Sequence, residues 1–459
     1  MAEFHLVGVG GAGMSVVAEL LVADGHHVSG SDHRDSDTLA RLRLAGVRVH
    51  VGHQEDQVPT GATVVVSTAV RPDNPELRVA RRRGQPVLHR SEALSLAAEG
   101  RALVAVAGAH GKTTTSAMLA VALRTAGLDP SFAIGGVVRA LGAGAHRGSG
   151  PVLVAEADES DGSFLNYRPT VALVTNIEPD HLDHYPSAEA FVRAFDDFAD
   201  RVPAGGLLVA CADDDGARAL AARVAGRGAR VITYGISGPP PEGVEEHVRV
   251  TDVELAADGA AARLRPTAGE PVPLRLAVGG EHNLLNAAGA WAVGVELGVA
   301  PPEMARALTA FTGTGRRFDP RGEAAGVRVV DDYAHHPTEV AATLRTARLA
   351  AGGGRVLVLF QPHLYSRTRT FAAEFARALT AADRVVVTDV YAAREDPEPG
   401  VDGSLITRDL PQGRYVPDRL DAARAVADDA RPGDLLLTVG AGDITELAPV
   451  VLDHLRERA

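Results

Sequence analysis

The chain has 459 residues, more than one hydrophobic core ordinarily serves, so about two to four domains are expected. Hydrophobic residues make up 46% of it and charged residues 23%, which is typical of a globular protein and excludes a disordered composition. A net charge of -13 argues against nonspecific binding to a nucleic-acid backbone, although it leaves room for a small anionic substrate.

The first residues, MAEFHLVGVGG, enter a strand directly and lack the cationic segment and long apolar run of a signal peptide. No window contains about 18 consecutive apolar residues, so a membrane span is not expected. The single cysteine, Cys211, cannot form an intrachain disulfide and is expected to be a small buried residue. These features predict a cytoplasmic protein that has neither a membrane nor a nucleic acid as partner. It is expected to act on small molecules as a monomer or homodimer.

The N-terminal segment, from residue 1 to about residue 98, alternates short apolar strands with helical stretches. Strands are predicted at FHLVGV, HHVSGSD, VRVHVG and ATVVVST, and the first helix at MSVVAELLVADG. Alternation of this kind predicts a parallel sheet with helices on both faces.

A glycine-rich turn joins the first predicted strand to the first helix. Gly8 to Gly13 satisfies the G-x-G-x-x-G spacing, and Asp32 follows about 20 residues later at the end of the second strand. The N–H groups at such a helix start suit a diphosphate, which a dinucleotide and a UDP-sugar supply equally well. For this motif alone, an NAD-binding oxidoreductase or regulator and a turn without any ligand remain as alternatives.

The strongest local signal is VAVAGAHGKTTTSAML, in which a buried strand leads through a glycine-rich loop into a helix. Of the 46 lysine and arginine residues, Lys112 is the only lysine, which indicates a task that a guanidinium does not perform. Lys112 is expected to reach the terminal phosphates of a nucleotide, and the Thr113 hydroxyl to reach Mg²⁺. Because Val106 stands where the strict phosphate-loop pattern has its first glycine, an ordinary strand–helix turn is the alternative.

Acidic side chains follow the next two predicted strands, PVLVAEAD and TVALVTN. The carboxyl ends of parallel strands share one edge of a sheet, so both acidic groups are expected beside the phosphate loop. Carboxylate oxygens are ligands that Mg²⁺ prefers, which makes this edge a candidate magnesium site. The candidate side chains are Glu156, Asp158, Glu159, Asp161, Asn176, Glu178, Asp180, His181, Asp183 and His184.

A turn-rich connector at 235–243 and a predicted hairpin, RVTDVELAADGAAARLRP, complete the middle unit. A third α/β unit begins after TGTGRRFDP, with strands in VRVVDDYAHHP, GRVLVLFQPH, ADRVVVTDVY and DLLLTVGAGD. The predicted fold class is therefore α/β with three domains: a Rossmann-like domain at 1–98, a central P-loop domain at 99–312 and a Rossmann-like domain at 313–459.

Polar clusters follow the strands of the third unit. DDYAHHPTEV supplies Tyr333 and His335, and QPHLYSRTRTF supplies Arg367, whose guanidinium suits bidentate capture of an amino-acid carboxylate. GTGRRFD places Arg317 at a domain junction, where an arginine can neutralise charge on a γ-phosphate. Each of these side chains alone has a structural ion pair as its alternative, and their concentration at strand ends favours a substrate site.

Taken in order, the motifs resemble the Mur ligases, and among them the members that add L-alanine. The resemblance covers nearly the whole chain through HLVGVGGAGMS, GAHGKTTT, EADESDGSFL, TNIEPDHLDHY, GEHNLLNA, GTGRRFD, DDYAHHPTEV and QPHLYSRTR. It implies a UDP-sugar domain, an ATPase domain and a mobile domain that brings the amino acid. The implied reaction joins L-alanine to the carboxylate of UDP-N-acetylmuramate in peptidoglycan precursor synthesis, with ATP consumed through an acyl phosphate. A recycling ligase that attaches a tripeptide to the same sugar is the alternative within the family, and a chain that only binds is another.

The resemblance also implies site residues, carried over motif by motif. The ATP phosphates would meet Gly108, Ala109, His110, Gly111, Lys112, Thr113 and Thr114. The adenosine would meet His282, Asn283, Asn286 and Asp332. Two Mg²⁺ ions would be held by Thr113, Glu156 and His181. The UDP-sugar would be lined by Gly10, Gly11, Ala12, Gly13, Met14, Ser15, Asp32, Ser67, Thr68, Ala69 and Val70. The incoming alanine would be surrounded by Tyr333, His335 and Arg367. The catalytic set would comprise Lys112, Arg317, Glu156, His181 and His335. The base that takes the amine proton is not specified by any motif, and His335 is our hypothesis for it.

Three departures from the family pattern stand out. Ala109 occupies a position where many members have Thr, which removes a hydroxyl but keeps the backbone donors. Leu364 stands where many relatives have Arg, so one polar contact to the amino acid is absent. Other members often carry a carbamoylated lysine near the second metal, and this chain has no lysine other than Lys112.

Overall fold

The computed structural model describes residues 1–180, 184–393 and 395–458, without the side chain of Ala12. It divides into two compact units. The first unit comprises Met1–Asp252, Ala262–Arg275 and Leu285–Phe311. The second comprises Val253–Ala261, Leu276–Leu284 and Thr312–Ala459.

The first sheet has five strands in the order β3-β2-β1-β4-β5, and every neighbouring pair is parallel. Its strands are β1 (Glu3–Val7), β2 (His27–Asp32), β3 (Arg48–Val51), β4 (Thr63–Val66) and β5 (Val87–His89). Its helices are α1 (Ala12–Ala23), α2 (Asp37–Leu44), α3 (Pro75–Arg82) and α4 (Arg90–Ala97). The predicted parallel sheet is confirmed. Strand β1 lies at its centre because β2 and β3 extend the sheet on one side and β4 and β5 extend it on the other.

The second sheet has ten strands in the order β15-β14-β13-β12-β11-β10-β6-β9-β7-β8. Its strands are β6 (Ala102–Ala107), β7 (Ser131–Val138), β8 (Ala143–His146), β9 (Val152–Glu156), β10 (Val171–Val174), β11 (Leu207–Cys211), β12 (Arg230–Gly235), β13 (Glu246–Ala256), β14 (Gly259–Pro266) and β15 (Val272–Leu276). The helices that accompany this sheet are α5 (Lys112–Thr125), α6 (Ala188–Ala199), α7 (Asp215–Gly226), α8 (Glu281–Glu296) and α9 (Pro301–Leu308).

The order of this sheet decides what surrounds the phosphate loop. Strand β6 pairs in parallel with β10 on one side and with β9 on the other. The loops that follow β9 and β10 therefore flank the loop that follows β6. Helix α5 is buried on all sides from Thr115 to Leu123, which explains its continuous run of small and apolar residues.

The third sheet has six strands in the order β16-β17-β21-β18-β19-β20. Its strands are β16 (Asp319–Ala324), β17 (Val327–Asp332), β18 (Val356–Phe360), β19 (Arg384–Val387), β20 (Gly413–Tyr415) and β21 (Leu435–Val439). Its helices are α10 (Pro337–Ala351), α11 (Tyr365–Leu379), α12 (Ser404–Thr407), α13 (Arg419–Asp429) and α14 (Leu447–Arg458). Side chains of β18 alternate between two hydrophobic cores, which is why VLVLF is apolar throughout.

Several strands were not predicted, and two antiparallel pairs show why. Strands β7 and β8 form an antiparallel hairpin whose glycines, among them Gly135 and Gly144, give a weak strand signal. Strand β16 pairs antiparallel with β17 and carries Pro320 and an irregularity before Gly322, both of which obscure the alternation of a strand. Among the described helices, none is long and apolar enough to cross a membrane.

Candidate active site

The glycine-rich turn between β1 and α1 is tied to the end of β2. The N–H groups of Gly8 and Val9 donate to the carbonyl of Ser31, and the Gly10 N–H donates to Asp32 Oδ2 at 2.9 Å. A Cβ at Gly10 would lie 2.9 Å from the same Asp32 oxygen, so a larger residue there would displace the Asp32 carboxylate. Asp32, predicted to line the UDP site, thus also holds the shape of the turn.

The N-cap residue of helix α1 provides no side-chain cap. Its N-cap is Gly11, and no acidic residue lies in its first turn. The guanidinium of Arg90 lies against Gly13, so closely that a Cβ there would collide with it. The N-terminus of a helix with an adjacent guanidinium suits an anionic group. Arg90 was not predicted as a site residue, because it follows β5, a strand that was not predicted.

Other residues predicted for the UDP site lie in two places. Met14 and Ser15 are buried in the first turn of α1. Thr68, in the turn after β4, donates from its hydroxyl to Asp161 Oδ2 at 3.0 Å. Asp161 belongs to the loop after β9, so the turn after β4 reaches that acidic loop. The contacts of these residues with a UDP-sugar stay predictions.

The phosphate loop after β6 needs glycine at two positions. Gly108 has a φ of +137°, and a Cβ there would collide with Thr175 Oγ1. Gly111 has a φ of +82° and precedes α5 as its N-cap. The N-cap Gly111 provides no side-chain cap, and the first turn of α5 has no acidic residue, so the start of this helix suits a phosphate group.

Lys112 is held by the loop and by a buried carboxylate. Its Nζ donates to the carbonyls of Gly108 and Ala109 at 2.7 and 3.2 Å, and to Glu159 Oε1 at 3.0 Å. Burial works against the ammonium form, but the carboxylates of Glu159, then Asp158 and Glu156, outweigh it and raise the pKa of Lys112. Lys112 is therefore a fixed positive charge at neutral pH.

Thr113 and Glu156 form a pair of oxygen donors next to Lys112. The Thr113 hydroxyl donates to Glu156 Oε1 at 2.9 Å, and the Gly135 N–H donates to Glu156 Oε2 at 2.9 Å. A hydroxyl and a carboxylate side by side are the hard oxygen ligands that Mg²⁺ takes, so the residues present fit this ion. The third predicted metal ligand, His181, lies outside the described residues.

The loop after β10 braces the phosphate loop from the other side. Thr175 Oγ1 and Asn176 Nδ2 donate to the His110 carbonyl at 2.6 and 2.9 Å. The His110 N–H donates to Asn176 Oδ1 at 2.9 Å, and its Nε2 lies 3.1 Å from Glu178 Oε2. This second acidic loop thus lies beside the phosphate loop. The hydrogen bonds of Asn176 with the His110 backbone hold the phosphate loop in place.

The residues of GEHNLLNA fall in both units. In the first unit, Asn286 lies beside the phosphate loop, since a Cβ at Gly111 would be 2.9 Å from its Oδ1. In the second unit, Asn283 donates from Nδ2 to the Gly279 carbonyl at 2.7 Å, and burial lowers the pKa of His282 to about 4. Contacts of these side chains with adenosine stay predictions.

In the second unit, Glu339 joins two of the predicted catalytic residues. Its Oε1 lies 3.3 Å from Arg317 Nη1, and its Oε2 lies 3.2 Å from His335 Nδ1. The Arg317 guanidinium lies over the ring of Tyr333, 5.1 Å from its centroid. The Arg316 side chain donates instead to the backbone of the loop after β21, so it has a structural role.

The predicted alanine site is partly assembled in this unit. The rings of His335 and His363 are 5.9 Å apart, and Arg367 Nη1 lies 3.3 Å from His363 Nδ1. Leu364, which replaces an arginine of many relatives, is buried and has a positive φ of 69°. Its side chain packs in the interior, so this position presents no polar group.

The Asp332 carboxylate forms hydrogen bonds that stabilise the fold. Its carboxylate accepts from the N–H groups of Phe318 and Ala334, both at 2.8 Å, and from Thr343 Oγ1 at 3.1 Å. Burial raises the pKa of Asp332, although Arg317 opposes this shift. These bonds hold the end of β17 in place, and a contact with the ribose stays a prediction.

Three family models match the chain one after another. The Mur ligase family catalytic domain matches residues 3–102, the Mur ligase middle domain 106–294, and the Mur ligase glutamate ligase domain 316–442. The chain belongs to the Mur ligase family. The exact domain boundaries predicted from the sequence stay predictions.

Relatives within the Mur ligases are similar over their whole length. The UDP-N-acetylmuramate–L-alanine ligase of Kineococcus radiotolerans is 58% identical, over 100% of this chain and 97% of the relative. That of Renibacterium salmoninarum is 54% identical, over 99% and 96%. Among solved structures, the UDP-N-acetylmuramate–alanine ligase MurC of Thermotoga maritima has a TM-score of 0.82 at 29% identity, with both chains fully covered. The predicted three-domain α/β architecture is confirmed.

A murein peptide ligase from Psychrobacter arcticus shares the fold, with a TM-score of 0.72 at 24% identity over 99% of each chain. At this identity the likeness concerns the fold alone. Membership of the Mur ligase family supports the ligase interpretation over the alternative of an NAD-linked oxidoreductase.

Proposed function

We propose that this Mur ligase joins L-alanine to the carboxylate of UDP-N-acetylmuramate at the expense of ATP, in peptidoglycan precursor synthesis. The observation that carries the choice of substrates is the 58% identity, over the full chain, to a ligase that carries this name. The reaction class is supported independently by a phosphate loop with Lys112 and the Thr113–Glu156 pair at its end. Two of the three substrates, ATP and UDP-N-acetylmuramate, are nucleotides, which favours a cytoplasmic location.

The first step transfers the γ-phosphoryl group of ATP to the muramyl carboxylate. A carboxylate oxygen forms a bond to phosphorus, the β,γ-bridging bond breaks, and ADP leaves as an acyl phosphate is formed. The N–H groups at the start of α5 and the ammonium of Lys112 bind the phosphates and hold them in line. We assign Arg317 to the neutralisation of charge on the transferred group.

Magnesium would be held in this site by Thr113 and Glu156, together with His181 from the resemblance. When bound, Mg²⁺ supplies positive charge to the phosphate oxygens. Glu156 is fixed for this task by the Gly135 N–H, which occupies one of its oxygens and orients the other toward Thr113.

The second step forms the amide. The free amine of alanine attacks the acyl carbon, and the tetrahedral intermediate collapses with loss of phosphate. His335 is assigned as the base that takes a proton from the attacking amine, with Glu339 holding its ring. Tyr333 and Arg367 are assigned to the alanine, the latter to its carboxylate.

The decisive experiment measures phosphate release from Mg-ATP with UDP-N-acetylmuramate and L-alanine, each left out in turn, and with the tripeptide in place of alanine. Release that requires all three components is expected. Release only with the tripeptide would assign the chain to the recycling ligases, and absence of release with either acceptor would refute the proposed function.

A further inference from the structure

One buried carboxylate lies behind the strand end that holds the glycine-rich turn. Glu76, in the first turn of α3, is fully buried, although glutamate is almost never fully buried unless it is paired. Its helix is already capped, since Asn74 Oδ1 accepts from the N–H groups of Glu76 and Leu77 at 2.9 and 3.3 Å. The Glu76 carboxylate instead contacts residues of the first sheet.

One oxygen of this carboxylate is bound to the end of β2. The hydroxyl of Ser31, which is also fully buried, donates to Glu76 Oε2 at 2.5 Å. His53 Nδ1 lies 2.8 Å from Ser31 Oγ and 3.3 Å from Glu76 Oε2. Because the Ser31 hydroxyl gives its proton to Glu76, His53 Nδ1 is the donor toward Ser31. The three groups form a chain of hydrogen bonds that fixes the Ser31 side chain.

The other oxygen of Glu76 faces a buried histidine of the central strand. Glu76 Oε1 lies 3.6 Å from His5 Nε2, and both side chains are shielded from solvent. His5 Nδ1 in turn lies 2.9 Å from Ser29 Oγ, which donates to the Phe4 carbonyl at 3.3 Å. Burial acts to raise the pKa of Glu76, but its contacts with His5 and then Ser31 outweigh burial and lower that pKa. Glu76 is therefore a buried negative charge at neutral pH.

The backbone of the same strand end holds the turn that is predicted to bind the UDP diphosphate. The Ser31 carbonyl accepts from the first two N–H groups of segment 8–10, at 2.8 and 2.9 Å. Asp32 Oδ2 accepts from the third at 2.9 Å. Two adjacent residues thus bind three consecutive N–H groups of the turn, and one of the two is fixed from behind by Glu76. A continuous series of hydrogen bonds joins the buried carboxylate to the glycine-rich turn.

We propose that Glu76 is a positioning residue for the UDP-sugar site: through Ser31, its carboxylate fixes the end of β2 and with it the glycine-rich turn and Asp32. Burying a charge costs stability, and an apolar side chain of similar volume would avoid that cost. The carboxylate provides a directional contact instead, because a hydrogen bond to a charged oxygen is shorter and stronger than one between neutral groups. This inference rests on the proposed function, which supplies the UDP substrate.

Loss of this contact should weaken binding of the UDP substrate without slowing the chemical steps. The glycine-rich turn and the phosphate loop belong to different sheets, so a shift at the end of β2 should leave Lys112 in place. We therefore expect a higher KM for UDP-N-acetylmuramate, with kcat and the KM for ATP close to those of the wild type. A residue that matters only for folding would lower the fraction of active enzyme, and thus kcat, without raising one KM.

The test measures steady-state phosphate release by the full chain as UDP-N-acetylmuramate is varied at saturating Mg-ATP and L-alanine. Glu76→Gln keeps the shape and an acceptor oxygen but removes the charge, and should raise this KM about tenfold, as expected for loss of a charge-assisted contact. Ser31→Ala removes the hydroxyl but keeps the carbonyl that holds the turn, and should raise the KM by a similar factor. The double variant should add little to either, because both substitutions break the same contact.

The matched control is Val79→Ala, on the same helix. Val79 is buried against Val58 and Val64, so its truncation destabilises the packing of α3 without removing the contact between Glu76 and Ser31. This variant should unfold at a lower temperature and keep the wild-type KM for UDP-N-acetylmuramate.

The outcomes separate this inference from the proposed function. A wild-type KM in folded Glu76→Gln, or an equal rise of the KM in Val79→Ala, would overturn the positioning role alone. If Glu76→Gln does not fold, the KM of Ser31→Ala decides in the same way. Absence of phosphate release by the wild type with UDP-N-acetylmuramate would instead overturn the proposed function, and this inference with it.

Discussion

Glu339 holds His335 through two atoms: its Oε2 accepts from the His335 N–H at 3.0 Å and lies 3.2 Å from the ring Nδ1. The two residues are four apart, at the junction of β17 and α10, so one turn of backbone brings them together. A carboxylate next to one ring nitrogen fixes the orientation and the tautomer of an imidazole. This is the arrangement that a general base requires.

If His335 is the base of the amide-forming step, His335→Gln will lower kcat by about 10²- to 10⁴-fold, the usual range for loss of acid–base catalysis. Glu339→Gln, which leaves the imidazole but removes the charge that orients it, will cause a smaller loss of kcat. Steady-state phosphate release measures both. The control His454→Gln breaks a surface contact with Asp428 and should leave kcat unchanged. Near-normal turnover of His335→Gln at every pH would exclude the role.

The Glu159–Lys112 contact predicts a change in lysine reactivity. Because Glu159 is the first of the carboxylates that raise the pKa of Lys112, Glu159→Gln will lower that pKa and speed acylation of the amine. Lys112 is the only lysine, so mass spectrometry of the loop peptide after treatment with an amine-reactive ester reports it alone, with the α-amine as internal reference. Glu189→Gln, an exposed substitution on α6, is the control. Equal labelling rates in Glu159→Gln and wild type would contradict the pairing.

The Thr113–Glu156 pair predicts the metal dependence of turnover. Thr113→Val and Glu156→Gln each remove one oxygen ligand or its charge, so the Mg²⁺ concentration for half-maximal activity will rise about 10-fold or more. Titration of phosphate release with MgCl₂ at saturating ATP measures this shift. Thr309→Val, which removes a hydroxyl bonded to the Arg275 carbonyl, is a control with the same chemical change. Wild-type Mg²⁺ dependence in both site variants would argue against this pair as ligands.

His282 predicts a pH dependence of stability. Its folded-state pKa is lowered to about 4 from an ordinary value of 6.5, so the folded state favours the neutral ring. The unfolded chain then binds more protons between pH 6.5 and pH 4. The free energy of unfolding will therefore fall as pH drops through this window, by at most about 1.4 kcal/mol per pH unit from this group.

Urea unfolding of wild type and His282→Gln at pH 7.5 and pH 5 tests this prediction. Loss of stability on acidification should be smaller in the variant, which has no proton to take up. His454→Gln again serves as the surface control. The same acid-induced loss in His282→Gln and wild type would show that other groups are responsible.

Much of the fold was determined by the sequence itself. Uninterrupted apolar runs such as VLVLF predicted buried parallel strands, since both faces of such a strand pack in a core. The phosphate loop could also be predicted from the sequence, because its glycines, Lys112 and the start of α5 are neighbours in the chain. Local conformation and local chemistry coincide there. Where glycines and a proline interrupted the alternation, as in β7, β8 and β16, the prediction had no signal to use.

What only the tertiary structure decided is which distant residues meet. The order β10-β6-β9 brings Glu156 to Thr113 and Asn176 to His110, although 43 and 66 residues separate the members of these pairs. Arg90 contacts Asp158, which lies 68 residues further along the chain. This contact could not be predicted from the sequence, because an isolated arginine belongs to no local motif. The sequence alone determined which functional groups the site contains, because the residues of each motif lie within one helix turn or one loop of each other. The pairing of strands determined their partners, because sheet order depends on packing of the whole chain rather than on any one segment.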